Sequence, residues 1–226
     1  MNYKRLLELF WEFSAEIETL HTLYLDSISG YLILNERLLV EQDEVRTILG
    51  KHEFASEEFQ DTCSMSYKEL CGKDFHPVSM TPVMKQGDIK SRTKENGKNY
   101  LLLGSQCVVA AYTYWEEYLR IEIGKAMNVL PADATNTPET RKILNLHVTS
   151  DFWGDMRLLR NSIVHSRGKG HSDLSKCKVL TWFKPGDEIE LDYQKMRRIF
   201  LAMADYRNDV HQKSLKPSEG ISLRRI

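Results

Sequence analysis

A run of seventeen uncharged residues, Asn99 to Trp115, constrains the fold of this chain more than any other stretch. It opens a segment of roughly thirty residues that is rich in helix formers, contains no proline and is ended by Pro131. The uncharged run is too short to span a bilayer comfortably, and it includes Ser105 and Gln106. The segment therefore predicts a buried central helix, with no membrane association.

The N-terminal part of the chain has the apolar spacing of an amphipathic helix. Residues 3–49 predict one long helix followed by a shorter one, with a break near Gly30 or Asn35. The first of these helices has one apolar face, made by Leu6, Leu9, Phe10, Phe13, Ile17 and Leu20. Glu8 and Glu12 interrupt this start before the core of a signal peptide can form.

Helix signals return after the central segment. Thr137 and Pro138 are typical of an N-cap and a first helical residue. A break near Ser150 starts another helix, which stops at Gly168, and residues 192–215 predict a last amphipathic helix.

Two segments depart from the helical pattern. Residues 51–98 predict an irregular crossover with one short helix, and residues 179–191 predict a small β-hairpin around Pro185 and Gly186. The expected architecture is a mainly α, up-and-down helical bundle in a single domain, 1–226. Within it, residues 1–50 form N-terminal helices, residues 99–214 form the core, and residues 215–226 form a loose tail.

The net charge excludes a chain that attracts nucleic acid through its whole surface, because 31 Lys and Arg face 32 Asp and Glu. A local basic patch exists in residues 157–171, which contain four basic residues, two histidines and no acid. Such a patch is typical either of a solvated helix face or of a surface that binds phosphate.

Standard cofactor and metal signals are missing from the sequence. No phosphate-binding glycine loop, dinucleotide fingerprint or paired C-x-x-C spacing is present, so we expect no cofactor and no metal. Four cysteines without paired spacing favour a reduced, cytoplasmic protein.

The residues best suited to chemistry lie in RLLRNSIVHSRG, residues 157–168. Metal-free cleavage of RNA needs a base for the 2′-hydroxyl, an acid for the leaving 5′-oxygen and a cation for the developing charge. Asn161 and His165 share a helix face at i,i+4, and Arg160 precedes them. His165 lies in the last helical turn, where a basic residue is also common for structural reasons alone.

An arginine and a histidine with four to six residues between them occur three times here, starting from Arg46, Arg141 and Arg160. Chance predicts about one such match in a chain of this composition. Arg160 alone is followed by asparagine, and that tighter R-N-x-x-x-H form is expected in only about one such chain in sixty.

This motif resembles the signature of the HEPN family, domains named for higher eukaryotes and prokaryotes. Residues 111–120, AYTYWEEYLR, are similar to the W-E-x-aromatic stretch of the preceding core helix in that family. The resemblance covers residues 101–168. It implies a helical bundle that forms a homodimer, with the two motif helices meeting at a shared cleft.

The resemblance also implies a metal-independent endoribonuclease, a toxin or phage-defence effector whose partner is an antitoxin or a nucleotidyltransferase. By that resemblance the catalytic candidates are Arg160, His165, Asn161 and Glu116. Arg157, Arg167 and Lys169 are expected to bind the RNA backbone.

Two other interpretations fit the same residues. One is a HEPN-fold binding or regulatory protein that dimerises and binds RNA, nucleotide or a nucleotidyltransferase without cleavage. The other is a helical interaction protein in which Arg160 and Asn161 satisfy a buried hydrogen-bond network and His165 caps its helix.

Overall fold

The computed structural model describes residues 1–73 and 83–215, with side chains up to Asn208 in the last helix. The predicted tail beyond residue 215 lies outside the described residues. The helices are α1 (Tyr3–Leu49), α2 (Glu57–Thr62), α3 (Tyr67–Cys71), α4 (Gln86–Thr93), α5 (Lys98–Tyr114), α6 (Arg120–Ala126), α7 (Pro138–His147), α8 (Asp151–His165) and α9 (Tyr193–Leu215). A π-helical segment, Trp115–Leu119, joins α5 to α6, and 3₁₀ turns occupy Glu53–Ala55 and Ser172–Lys176.

The prediction of a mainly α helical bundle is confirmed. The chain divides into two compact units, the first made of Met1–Leu23 and the described residues from Gly104 onward, the second of Tyr24–Leu103. None of the described helices is long and apolar enough to cross a membrane.

The break expected in the N-terminal helix is absent from the described structure, because α1 is continuous from Tyr3 to Leu49. Gly30 costs a helix interior about 1 kcal/mol relative to alanine, which a long helix tolerates. Asn35 is held in place by its own tertiary hydrogen bonds. Its side-chain amide donates to the Lys90 carbonyl at 3.0 Å and to the Thr93 hydroxyl at 3.1 Å.

The second unit is more regular than the expected crossover. The short helix predicted there is divided into α2 and α3 by the strand β1 (Ser64–Ser66), which pairs antiparallel with β2 (Val83–Lys85). A small apolar cluster explains this regular structure, because it packs together side chains from four different elements. Its buried members are Leu38, Met65, Leu70 and Ile89.

The first unit has its core where the sequence predicts it. Five of the six predicted face residues of α1 are buried, and Phe10 is half-buried. The central segment is helical from Lys98 to Ala126 and contributes fully buried side chains such as Val108 and Leu119. Thr137 caps α7 by accepting from the Thr140 amide, as predicted, and Ser150 precedes α8.

The hairpin predicted over residues 179–191 does not form, although the predicted turn does. The Asp187 amide donates to the Lys184 carbonyl at 3.1 Å, and Gly186 has a φ of +91°. The residues flanking this turn pair with the loop after α8 instead of with each other. The Gly170 amide donates to the Asp187 carbonyl at 2.7 Å, and the Ile189 amide donates to the Gly168 carbonyl at 2.7 Å.

Gly104 marks a close approach in the first unit. An added Cβ would lie 2.8 Å from the Leu191 carbonyl oxygen and 3.1 Å from Met196 Cγ. We expect Gly104→Ala to lower the free energy of unfolding by about 1–3 kcal/mol through overpacking. Gly154→Ala, whose Cβ meets no described atom within 4 Å, is expected to raise it by up to about 1 kcal/mol. Urea unfolding measures the free energy of unfolding of both variants. Equal changes in the two would contradict the close packing around Gly104.

Candidate functional site

The motif residues meet at the C-terminal end of α8. Arg160 Nη1 lies 3.1 Å from Asn161 Oδ1 and 3.0 Å from His165 Nε2. Arg160 and Asn161 are half-buried, whereas His165, the last residue of the helix, is exposed. One guanidinium nitrogen therefore bridges the amide and the imidazole, with the imidazole on the solvent side.

The contact joins a hydrogen-bond donor to a ring nitrogen. A guanidinium group only donates hydrogen bonds, so His165 Nε2 is on the accepting side of this contact. The imidazole itself is exposed at the end of the helix, where a ligand from solvent can reach it.

The other two arginine–histidine spacings do not produce such a pair. Arg46 binds Asp43 at 3.3 Å, and His52 accepts from the Phe54 amide at the start of a 3₁₀ turn. Arg141 Nε donates to Asn136 Oδ1 at 2.7 Å. Of the three spacings, only the one that starts at Arg160 brings a guanidinium group into contact with its imidazole in the described part of the chain.

Glu116 lies in the π-helical segment, where the Arg120 amide donates to the Trp115 carbonyl five residues earlier. Its carboxylate is 3.2 Å from Arg120 Nη1 and 3.9 Å from Arg141 Nε. Burial and the Glu116 carboxylate raise the pKa of Tyr112 to about 12, so this phenol stays protonated and donates to Glu116. The carboxylate of Glu116 is therefore held by its neighbours.

Arg120 is a buried cation that connects three parts of the first unit. Besides Glu116, it donates from Nε to the Val148 carbonyl at 3.0 Å and from Nη2 to Asn145 Oδ1 at 2.6 Å. Each of its nitrogens thus has an acceptor, as a buried guanidinium requires. These bonds fix the end of α7 against the π-helical segment.

An open cavity of about 540 Å³ lies between the π-helical segment, α7 and α8. Glu116, Arg160 and Asn161 line it together, so the structure brings these three candidates to one cavity, while His165 is not among the lining residues. Further lining residues are Tyr112, Trp115, Glu117, Arg120, Arg141, Asn145, Val148, Thr149, Ser150, Trp153, Gly154 and Arg157.

The three expected RNA-binding residues are all exposed, in different settings. Arg157 lines the cavity. Arg167 follows the end of α8 with a φ of +53°, the left-handed region that disfavours side chains with a Cβ. Lys169 Nζ lies 3.8 Å from Glu188, which partly offsets its charge.

Asp155 anchors the residues that follow the motif loop. Its buried carboxylate accepts backbone N–H groups of Lys178, Val179 and Leu180 at distances from 2.6 to 3.1 Å. The sequence places Asp155 among helix-favouring acids of the first turns and gives no sign of this role. No group of three or more His, Cys, Asp or Glu suited to a metal occurs in the described part of the chain.

The aromatic residues of the W-E-x-aromatic stretch point in different directions. Trp115 stacks on Trp153 with centroids 4.8 Å apart and planes 6° apart, and both rings are buried. Tyr118 instead donates to Glu12 and accepts from Arg5 on α1. Trp153 is thus a core residue.

Several lining residues escape sequence analysis. Arg141 stands out only as the start of a loose arginine–histidine spacing, and Arg120 only by its i,i+4 spacing from Glu116, which suits an ion pair. Asn145 and Ser150 give no individual signal, because their position depends on how α7 and α8 pack.

Comparison of the chain with protein-family models, with curated proteins and with solved structures gave no match.

The left-handed backbone at Arg167 predicts a stability difference between two substitutions. Arg167→Gly removes the steric strain and should raise the free energy of unfolding by about 1 kcal/mol. Arg167→Ala removes the same charge but keeps a Cβ, so we expect no gain. Chemical denaturation compares the two variants, and an equal gain in both would show that charge, not backbone strain, sets the effect.

Proposed function

We propose that this protein is a metal-independent endoribonuclease of the HEPN type, acting at a composite site in a homodimer. The observation that carries the proposal is the contact of Arg160 Nη1 with both Asn161 Oδ1 and His165 Nε2. It supplies a cation beside an exposed imidazole, two of the groups that RNA cleavage requires.

In the proposed reaction His165 of one protomer removes the proton of a 2′-hydroxyl. The 2′-oxygen attacks the adjacent phosphorus, and the bond from phosphorus to the 5′-oxygen breaks. The protonated His165 of the second protomer gives its proton to the leaving 5′-oxygen. The products are a 2′,3′-cyclic phosphate and a 5′-hydroxyl, and no water is consumed.

The arginines have electrostatic roles in this proposal. Arg160 stabilises the negative charge that develops on the phosphate oxygens, and Asn161 orients the Arg160 guanidinium through its Oδ1. Glu116, held by Arg120, positions that side of the cavity rather than transferring protons. Arg157, Arg167 and Lys169 bind the RNA backbone.

We propose a homodimer because one chain has too few proton-transfer groups for this reaction. Each protomer offers one motif histidine, while the reaction needs a base and an acid at once. A two-fold axis supplies the second histidine without a second motif. We place this activity in the cytoplasm, as a toxin or phage-defence effector controlled by an antitoxin or a nucleotidyltransferase partner.

The direct test is incubation of the purified protein with RNA in EDTA. Wild type should release fragments ending in a 2′,3′-cyclic phosphate, and His165→Ala and Arg160→Ala should each reduce the rate by about 10²- to 10⁴-fold. Gel electrophoresis with end-group analysis measures rate and product.

Matched controls come from the other arginine–histidine spacings. His147 is the last residue of α7, as His165 is of α8, and Arg46 is a half-buried arginine of the second unit. His147→Ala and Arg46→Ala should cleave at the wild-type rate. Binding of RNA without cleavage by wild type would instead favour the non-catalytic HEPN interpretation, and identical products from all variants would rule out this site.

The composite site makes a separate prediction about mixed dimers. Co-expression with two affinity tags yields dimers of one wild-type and one His165→Ala chain. These should be at least about tenfold less active than wild type, because one of the two proton-transfer groups is missing. Mixed dimers carrying His147→Ala should keep full activity. Half of the wild-type activity in the His165→Ala mixed dimer would mean that one protomer holds a whole site.

A further inference from the structure

We propose that the cavity beside Arg160 binds a nucleoside phosphate, either a nucleotide of the bound RNA or a free mononucleotide. Where the nucleotide belongs to RNA, the inference rests on the proposed function. Where it is free, the cavity is a ligand site of its own.

The first observation concerns the start of α8, a helix of fifteen residues whose N-terminus opens onto the cavity. The first N–H groups of an α-helix have no acceptor within the helix and carry partial positive charge. Ser150 occupies the N-cap position, yet its side chain makes no capping hydrogen bond. These N–H groups are thus oriented as in helices that bind phosphate.

The second observation is independent of the helix end. Trp153 lines the cavity with only 2% of its surface exposed, and its Nε1–H has no acceptor in the described part of the chain. Arg160 Nε, buried on the same cavity, also lacks an acceptor there. Buried donors without partners are costly, and both of these donors belong to residues of the cavity wall.

The charges around the cavity favour an anion. Four arginines and two glutamates line it. The glutamates are already engaged, Glu116 by Arg120 and Glu117 by the side-chain amide of Asn136 at 2.6 Å. The exposed Arg157 stands one helical turn after Trp153 on α8, on the same side of the helix.

The size of the cavity favours more than a phosphate ion. A volume of about 540 Å³ lies within the range of pockets that hold small organic ligands. Aromatic side chains, Tyr112 and Trp115, stand beside the polar groups. A phosphate at the start of α8 leaves room for an attached ribose and base.

Gly154 allows the cavity to be blocked without disturbing the fold. It lines the cavity, and an added Cβ would meet no described atom within 4 Å. Gly154→Leu should therefore fill the space that a ligand needs, while Gly154→Ala should leave it open. Trp153→Phe keeps an aromatic ring at this position, removes the Nε1–H donor and shortens the ring that stacks on Trp115.

The experiment is calorimetric titration of the full chain, in the His165→Ala background so that RNA stays intact. The probes are 5′-AMP and 5′-UMP, the matching nucleosides and inorganic phosphate. We expect the nucleotides to bind at least about tenfold more tightly than the nucleosides, because a hydrogen bond to a charged group is strong. Gly154→Leu should abolish this binding, Gly154→Ala should keep it, and Trp153→Phe should weaken it by about tenfold.

A 2′-O-methyl oligonucleotide distinguishes the two sources. If Gly154→Leu weakens both the mononucleotide and the oligonucleotide, the cavity holds a nucleotide of RNA. If it weakens the mononucleotide alone, the ligand is a free nucleotide. Either result supports the site.

Failure of this inference differs from failure of the proposed function. No binding of either nucleotide, or equal binding by Gly154→Leu and Gly154→Ala, would overturn the cavity site even if wild type cleaves RNA. Nucleotide binding that Gly154→Leu abolishes would support the cavity site even if no variant cleaves RNA.

Discussion

The stack of Trp115 on Trp153 is the contact on which the candidate site depends. It joins the π-helical segment to α8 with nearly parallel rings, and Tyr206 of α9 meets both edge-on at 5.1 and 6.0 Å. Aromatic pairs of this kind contribute about 0.5–1.5 kcal/mol beyond the area they bury. Because Glu116 follows one tryptophan and Arg160 lies two turns after the other, the stack determines that both face one cavity.

Two buried charged residues, Arg120 and Asp155, hold the segments around the cavity in place through their hydrogen bonds. Arg120 satisfies three acceptors from three segments, and Asp155 satisfies three backbone donors of the loop that passes behind α8. Both side chains are buried, so removal of a partner would leave an uncompensated charge. Arg160 therefore lies on a helix that is fixed by these bonds, which suits a group that must be positioned before the reaction.

The sequence predicts the helices of the first unit well, because apolar periodicity and caps such as Thr137 are local signals. The sequence predicts the local structure wrongly where contacts between distant residues determine it. Asn35 stays helical through bonds to α4, and the flanks of the Gly186 turn pair with a loop instead of with each other. Within the site, Arg160, Asn161 and His165 are visible as a spacing, whereas Arg120, Asn145 and Trp153 join it only through packing.

The π-helical segment has a consequence for how this chain tolerates changes in length. A π turn accommodates one residue more than an α turn, and everything after it is rotated by about 100° relative to a regular helix. Deleting a single residue between Trp115 and Leu119 would restore an ordinary helix and turn Arg120 away from the Val148 carbonyl. Relatives of this chain that lack the extra residue would therefore keep the motif of α8 but lose the opposite wall of its cavity.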